Sequence, residues 1–276
     1  MGKILNDQQI DQYREEGFLA PIDIMSEDEA ADYLARLEDA EANYPQHLNP
    51  ENRNNLHLGL RLFDELVHHP IVLDVVEDLI GPNFSLWGSV LFAKGPQSAQ
   101  YVSWHQDATY MGLGSHQFIT PWIALTPSNR ENGCMTMLPG SHRNGVMGHD
   151  ETFAEDNILT RGQNIPDVDP HSGVDLVLRP GQMSVHHALT IHGSQPNPSE
   201  QRRIGYAIQS YVPSGVEQLV GENYWMPMRG ECQHKNMIRL SRPQADFDEE
   251  AVTQRMRAND NWSNILYSGA RKVRAY

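Results

Sequence analysis

Between about residues 84 and 213 the sequence is divided into short apolar or alternating runs, and this pattern limits the fold more than any other feature. Each run is bounded by Gly, Pro, Asn or Ser, which is typical of strands in an antiparallel sandwich or barrel. The predicted strands lie within residues 84–94, 101–107, 118–126, 134–138, 174–178, 183–187 and 203–212. We therefore expect a mainly β core.

The first 80 residues carry helix signals instead. Asn6 with Gln9, and Ser26 with Glu29, have the spacing of capping boxes at helix starts. Pro70 suits the first turn of an apolar-periodic segment that stops before a Gly-Pro pair. We expect flanking helices at about 7–16, 26–42 and 70–80.

The charge of the chain limits its partners. Its 276 residues contain 21 Lys and Arg against 36 Asp and Glu, a formal net charge of -15, which repels phosphate backbones and anionic lipids. We expect a small-molecule substrate, no nucleic-acid or membrane partner, and a monomer or weak homo-oligomer. Cys134 and Cys232 are too few for a disulfide framework. The N-terminus lacks the apolar core of a secretory signal, so we expect a cytoplasmic protein.

One predicted strand carries a candidate chelating pair. Residues 101–107 end in His105-Gln106-Asp107, the single His-x-Asp sequence of the chain. Side chains two apart on a strand point to the same face, so the imidazole and the carboxylate can project into one cavity. For this segment alone, a His-Asp pair on an exposed strand face remains an alternative, because such a tripeptide arises easily by chance.

His192 is the candidate third ligand, since it follows a predicted strand and begins a His-Gly-Ser sequence. Two histidines and one carboxylate form the facial triad that leaves three positions of an octahedral Fe(II) open. Arg203 stands eleven residues later, at the start of the next predicted strand. If the two strands are antiparallel, its guanidinium lies near the metal, where it can hold a carboxylate with two hydrogen bonds. Strand alternation directs Arg202 to the opposite face.

Further motifs follow in order along the chain: Glu131-Asn132-Gly133, Pro139-Gly140-Ser141-His142, and His192-Gly193-Ser194 with Asn197 and Arg203. Together with His105-Gln106-Asp107, they resemble the phytanoyl-CoA dioxygenase family of Fe(II)/2-oxoglutarate-dependent oxygenases. The resemblance runs from about residue 5 to about residue 212.

The resemblance implies a double-stranded β-helix, or jelly roll, within a single domain over residues 1–276. The N-terminal helices would occupy about 7–80, the jelly-roll core about 84–213, and a C-terminal extension 214–276. The implied cofactors are Fe(II), 2-oxoglutarate as cosubstrate, and O2. The implied metal ligands are His105, Asp107 and His192, and the implied 2-oxoglutarate contacts are Arg203, Ser194 and Trp122.

We therefore expect a dioxygenase that hydroxylates an unactivated C–H bond and releases succinate and CO2. The acidic chain is a poor attractor for a multiply anionic thioester, which favours a small polar metabolite with an amine or a zwitterionic charge, such as an amino acid, an osmolyte or an aminophosphonate. Alternatives are a fatty acyl-CoA hydroxylase with the same mechanism, a metal-dependent hydrolase or isomerase, and a catalytically silent jelly-roll binding module.

Candidate substrate contacts follow from strand alternation. Tyr101 and Ser103 share a strand face with His105, Tyr211 shares one with Arg203, and Tyr110 is a candidate wall or lid residue. For the aromatic members, packing in the core is an equal alternative.

Two further features of the sequence stay open. Either His186 or His187 can face the site, and the long polar segment 143–172 is a candidate lid.

Overall fold

The computed structural model describes residues 2–50 and 52–273. The α-helices of this part are α1 (Asp7–Glu16), α2 (Glu27–Asn43), α3 (Pro45–Leu48), α4 (Arg61–Val67), α5 (Pro70–Ile80) and α6 (Glu249–Leu266). The strands are β1 (Phe18–Asp23), β2 (Phe84–Leu86), β3 (Val90–Lys94), β4 (Val102–His105), β5 (Ile119–Ala124), β6 (Met135–Met137), β7 (Asp150–Glu151), β8 (Gln163–Asn164), β9 (Val174–Asp175), β10 (Gln182–His187), β11 (His192–Ser194), β12 (Arg203–Ala207), β13 (Tyr211–Pro213), β14 (Asn223–Arg229) and β15 (Met237–Arg239).

Two sheets form the core. The larger has the order β1-β10-β5-β13-β2-β14-β15, and β12 joins it by pairing with β5 and carries β3 on its other side. The smaller has the order β4-β11-β6-β9, and β7 and β8 form a separate pair. Pairing is antiparallel within the core, and β14 with β15 is parallel. The expectation of a mainly β core with flanking helices is confirmed.

The N-terminal helices begin where their capping residues predict. Asn6 accepts a hydrogen bond from the Gln9 amide and Ser26 accepts one from the Glu29 amide, and both capping boxes are complete. α1 ends at Gly17, which adopts the left-handed conformation (φ 83°) that favours glycine. The strand β1, directly after it, is not apparent from the local sequence pattern. Its place in the fold is shown by its antiparallel pairing with β10. β1 contains Pro21, which is tolerated because β1 lies at an edge of the larger sheet.

Strand alternation gives the larger sheet two different faces. Ile123 and Tyr206 belong to a large apolar cluster that includes buried residues of α2, α4 and α5, so these helices cover one face. The intervening Trp122 and Ala207 point the other way and join a second cluster with Met135 and Met137 of the smaller sheet. The space between the two sheets is therefore partly apolar, and it is the place where a site can be enclosed.

The C-terminal part of the chain completes this architecture. β14 pairs with β2 in the larger sheet. α6 begins at the cap residue Asp248, whose side chain accepts from the Ala251 amide, and its Trp262 packs edge-on against Trp87 with ring centroids 5.1 Å apart. No α-helix in the described residues combines the length and the apolar character that a bilayer crossing requires.

Gly205 determines where Trp122 lies. A Cβ atom placed on Gly205 would overlap the Trp122 indole, so the missing side chain is what lets the ring lie against the backbone of β12. The space that the small Gly205 leaves is filled by the indole and is not available to a bound organic acid. A glycine on a strand interior thus marks a close approach.

We predict that Gly205→Ala lowers the stability of the fold, because the added methyl group must displace a buried ring. Such overpacking costs about 1–3 kcal/mol, which in a domain of this size lowers Tm by roughly 2–10 °C. Gly95→Ala is the matched control, since a Cβ there meets no atom within 4 Å. Thermal unfolding followed by circular dichroism checks both variants, and equal Tm values would contradict the prediction.

Candidate metal centre and active site

The three candidate ligands converge on one edge of the smaller sheet. His105 is the last residue of β4, His192 is the first residue of β11, and the two lie opposite each other in the antiparallel pair. Gly193 permits this approach, because a Cβ there would lie 2.9 Å from the Val102 carbonyl oxygen. Asp107 follows two residues after His105, beyond the end of the strand.

The geometry of the three side chains suits a metal ion. One ligand atom of each of His105, Asp107 and His192 lies within 4.8 Å of the others, and all three residues are buried. The Asp107 Oδ1 atom is 3.6 Å from His105 Nε2 and 3.8 Å from His192 Nε2. The donor set of two imidazoles and one carboxylate is the one that Fe(II) prefers in facial triads.

Hydrogen bonds to the backbone orient both imidazoles. His105 Nδ1 is 2.9 Å from the Ser103 carbonyl oxygen, and His192 Nδ1 is 2.9 Å from that of Thr190. A carbonyl only accepts, so each Nδ1 carries the proton and each Nε2 presents its lone pair to the shared space. Partners of this kind fix the tautomer of metal-ligating histidines.

Two residues of the larger sheet hold the carboxylate. The Thr120 hydroxyl donates to Asp107 Oδ2 over 2.7 Å, and His186 Nε2 lies 3.0 Å from the same oxygen. Thr120 and His186 face each other on β5 and β10. Asp107 Oδ2 is therefore occupied, and Oδ1 is left facing the two ligand histidines.

Electrostatics keep the ligands in the states that bind a cation. Burial by itself raises the pKa of Asp107, but its contacts with His105, His186 and His192 bring that pKa well below its usual value. Burial, followed by the neighbouring histidines, lowers the pKa of His192 well below its usual value. The carboxylate is thus ionised and His192 is neutral at pH 7.

Arg203 supplies a buried positive charge in the same cavity. Its Nε donates to Ser128 Oγ over 3.3 Å, and its guanidinium carbon lies 4.7 Å from the centre of the Trp122 ring. Its Nη2 is buried and has no hydrogen-bond partner in the described residues. A buried guanidinium that lacks an acceptor fits a bound carboxylate. Ser194 lines the cavity beside it.

Lys94 is a second buried basic side chain, and the sequence pattern alone does not reveal it. It lies opposite Arg203 in the β3–β12 pair, and its Nζ donates to Ser194 Oγ over 2.8 Å. Burial and then the charge of Arg203 lower the pKa of Lys94 to about 6, while burial lowers that of Arg203 to about 10. A lysine that ends an apolar strand is a weak signal, and only the strand register places it behind the site.

These groups open into one cavity of about 360 Å³, within the size range of small-molecule sites. It extends from the three candidate ligands past Trp122 and Arg203 to α6, to Pro50 and to residues 52–54. Residues 158–160 and Gln163 line another side, so the predicted lid segment borders the cavity.

Within that segment, Arg161 forms an anchor. Its Nη1 lies 2.5 Å from a Glu151 carboxylate oxygen, and its Nη2 donates to the Ser268 carbonyl just beyond α6 over 2.7 Å. These contacts tie the segment 143–172 to the end of α6. Its mobility stays a prediction.

None of the four predicted substrate contacts is among the described residues that line the cavity. The Ser103 hydroxyl donates to the Gln163 carbonyl and accepts from Asn157 Nδ2, so it supports the lid segment. Tyr101 forms a backbone bridge to Asn157. The Tyr110 ring stacks against the Arg161 guanidinium, whose central carbon lies 3.9 Å from the centre of the ring.

Tyr211 is placed in the core instead of the site. Its side chain is fully buried and its hydroxyl donates to the Val67 carbonyl over 2.6 Å. The expectation assumed that alternation continues unbroken from Arg203. Ser210 adopts a positive φ of 79° between β12 and β13, and this break changes the face that Tyr211 occupies.

The two adjacent histidines have different surroundings. His186 lines the cavity and contacts Asp107. His187 is half-buried, accepts from the Leu189 amide over 3.1 Å and lies near His142.

Comparison with known proteins identifies the class to which this fold and site belong. The phytanoyl-CoA dioxygenase family matches residues 13–205. A solved structure of the non-heme monooxygenase ThoJ superposes with a TM-score of 0.83 at 30% identity, covering 94% of this chain and 98% of ThoJ. A ThoJ-Ni complex superposes with a TM-score of 0.78 at 28% identity, covering 94% of this chain and 99% of that one. The chain belongs to the phytanoyl-CoA dioxygenase family, and its two-sheet core is the jelly roll of that fold.

Two curated relatives align over shorter regions. The probable alpha-ketoglutarate-dependent hypophosphite dioxygenase of Stutzerimonas stutzeri is 34% identical over 165 residues, which are 58% of this chain and 57% of that protein. The peroxisomal phytanoyl-CoA dioxygenase of Bos taurus is 33% identical over 136 residues, 48% of this chain and 40% of that protein. The matches thus span about half the length of these relatives.

We predict that His186→Phe weakens metal binding about 10- to 100-fold, the usual effect of losing a group that orients a ligand. Phenylalanine fills the same space but cannot donate to Asp107 Oδ2. His187→Phe is the matched control and is expected to bind metal as the unmodified protein does. Anaerobic titration with Co(II), followed by its visible absorption, measures both affinities. Equal affinities in the two variants would contradict the role of His186.

Proposed function

We propose that this protein is an Fe(II)/2-oxoglutarate-dependent dioxygenase in which all of residues 1–276 form one domain. The observation that carries the proposal is the combination of two features in one cavity. His105, Asp107 and His192 present three ligand atoms to one point, and Arg203 lines the same cavity with a buried Nη2 that has no hydrogen-bond partner among the described residues. The similarity to ThoJ and to the hypophosphite dioxygenase of Stutzerimonas stutzeri supports it.

The residues divide the work between the metal and the cosubstrate. His105, Asp107 and His192 would hold Fe(II), with Thr120 and His186 keeping the Asp107 carboxylate in place. When bound, iron and 2-oxoglutarate supply the chemistry in which O2 and a C–H bond give an alcohol, succinate and CO2.

At the inner end of the cavity, Arg203 would pair with the distal carboxylate of 2-oxoglutarate. Ser194 would donate to the same group, and Trp122 would pack against the carbon chain and exclude water. A neutral Lys94 behind Ser194 can take up a proton when this carboxylate arrives. Excluding water strengthens each of these electrostatic contacts.

For the prime substrate we propose a small polar metabolite that carries an amine or a zwitterionic charge. The cavity volume of about 360 Å³ and the net charge of -15 favour it over a long, multiply anionic acyl-CoA. A hydrolase or isomerase would have no need for Arg203, and a silent binding module would have no need for a complete ligand set.

We predict that the protein with Fe(II) and 2-oxoglutarate shows a visible charge-transfer absorption under anaerobic conditions. Arg203→Ala should raise the 2-oxoglutarate concentration that produces it by roughly 100-fold, since losing one partner of a buried charge pair costs about 2–5 kcal/mol. Arg202→Ala is the matched control, because Arg202 pairs instead with Glu41 through contacts of 2.6 and 2.9 Å. No absorption, or equal effects of the two variants, would argue against the assignment.

We also predict that binding 2-oxoglutarate takes up protons near pH 7.5. The Lys94 pKa of about 6 leaves the free amine mostly neutral there, and a nearby carboxylate raises that pKa. The affinity should therefore be highest below pH 6 and fall as the pH rises above it. Calorimetry in two buffers of different ionisation heat measures the uptake. Lys94→Met should abolish the uptake, and no buffer dependence in the unmodified protein would refute the prediction.

A further inference from the structure

One wall of the cavity, here called the outer wall, combines residues of α6 with residues that precede Asn55. The family match ends at residue 205, so the lining residues of α6 lie outside it. These are Asn259, Asp260, Trp262, Ser263 and Leu266. Residues Pro50, Asn52, Arg53 and Asn54 line the cavity as well. A wall of this kind is suited to select the prime substrate.

The two parts of this wall form one unit. Arg255 of α6 is buried and donates hydrogen bonds to three backbone carbonyl groups within residues 47–54. The side chains of Asn55 and Asn259 are joined by a hydrogen bond of 2.9 Å. Groups presented by α6 and by residues 52–54 are therefore held at a fixed separation, as specific recognition requires.

Arg53 is a cation of this wall that forms no ion pair with a carboxylate of residues 2–50 or 52–273. Its Nη1 donates to the Ala93 carbonyl over 2.9 Å. Its Nε is buried and lacks a hydrogen-bond partner in the described residues. The nearby Glu41 is already bound by both Nη atoms of Arg202. A half-buried guanidinium that borders a cavity without a counter-ion is suited to an anionic group of a ligand.

The remaining charge of the wall has the opposite sign. Once Arg203 is assigned to the cosubstrate and the His-Asp-His group to iron, the charged side chains left among the described lining residues are Arg53 and Asp260. Asp260 is exposed and has no ion pair in the described part of the chain. One cation and one anion among the lining residues of a cavity match a ligand that carries both charges.

On these grounds, and resting on the proposed dioxygenase function, we propose that the prime substrate is a zwitterion bound between α6 and residues 52–54. Arg53 takes its anionic group and Asp260 its ammonium group. This arrangement holds both ends of the molecule at the mouth of the cavity and directs the carbon chain between them towards the metal.

The test uses the full-length protein loaded anaerobically with Fe(II) and 2-oxoglutarate. The probes are L-amino acids, the amines and carboxylic acids that correspond to them, and hypophosphite. Binding is measured by the change in the visible charge-transfer absorption, and turnover in air by succinate formation. The variants are Arg53→Gln and Asp260→Asn, with Arg14→Gln on the exposed side of α1 and Glu249→Gln as charge-matched controls.

We expect at least one zwitterion to alter the absorption and accelerate succinate formation, while its singly charged counterparts do so weakly or not at all. Arg53→Gln and Asp260→Asn should each raise the half-saturating concentration of that zwitterion at least tenfold, with the absorption before its addition unchanged. The controls should behave as the unmodified protein.

The inference is wrong if hypophosphite or another singly charged compound is the effective probe, if no zwitterion alters the absorption, or if the two variants bind as tightly as the controls. If the proposed dioxygenase function itself were wrong, the unmodified protein would show no charge-transfer absorption before any probe is added. The two kinds of failure can therefore be told apart.

Discussion

The carboxylate of Asp107 connects the two sheets of this protein. One of its oxygens is bound by Thr120 and His186, which face each other on adjacent strands of the larger sheet. The other faces His105 and His192, which face each other on the smaller sheet. A buried anion needs such partners to remain ionised. The relative position of the sheets is therefore coupled to the geometry of the proposed metal centre.

The inner end of the cavity is defined by two basic side chains that are removed from water. Arg203 and Lys94 are neighbours on paired strands, and both are buried. Burial, and after it the positive charge of Arg203, lowers the pKa of Lys94 to about 6. An anionic cosubstrate would relieve this repulsion. The same arrangement would make the binding of 2-oxoglutarate sensitive to pH in the neutral range.

The outer end of the cavity follows a different principle. Its groups come from residues 52–54, which precede α4, and from α6. Arg255 and the Asn55–Asn259 hydrogen bond join these two parts of the chain. Arg161 anchors the segment 143–172 to the end of the same helix. This part of the cavity therefore combines segments that are far apart in the sequence.

Local information was enough to predict the capped helices, the mainly β core and the His105–Asp107 pair. Capping depends on residues three positions apart, and strand alternation depends on residues two apart. The motif resemblance added His192 and Arg203. Strand alternation predicted the wrong face for Tyr211, because the positive φ of Ser210 interrupts the alternation between β12 and β13.

Contacts between distant segments were decided by the tertiary structure alone. The placement of Lys94 behind Ser194, the support of Asp107 by His186 and the pairing of α6 with residues 47–54 join positions separated by 79 to 208 residues along the chain. No periodicity in the sequence encodes such separations. They arise from strand register and helix packing, which depend on the burial of apolar surface over the whole fold.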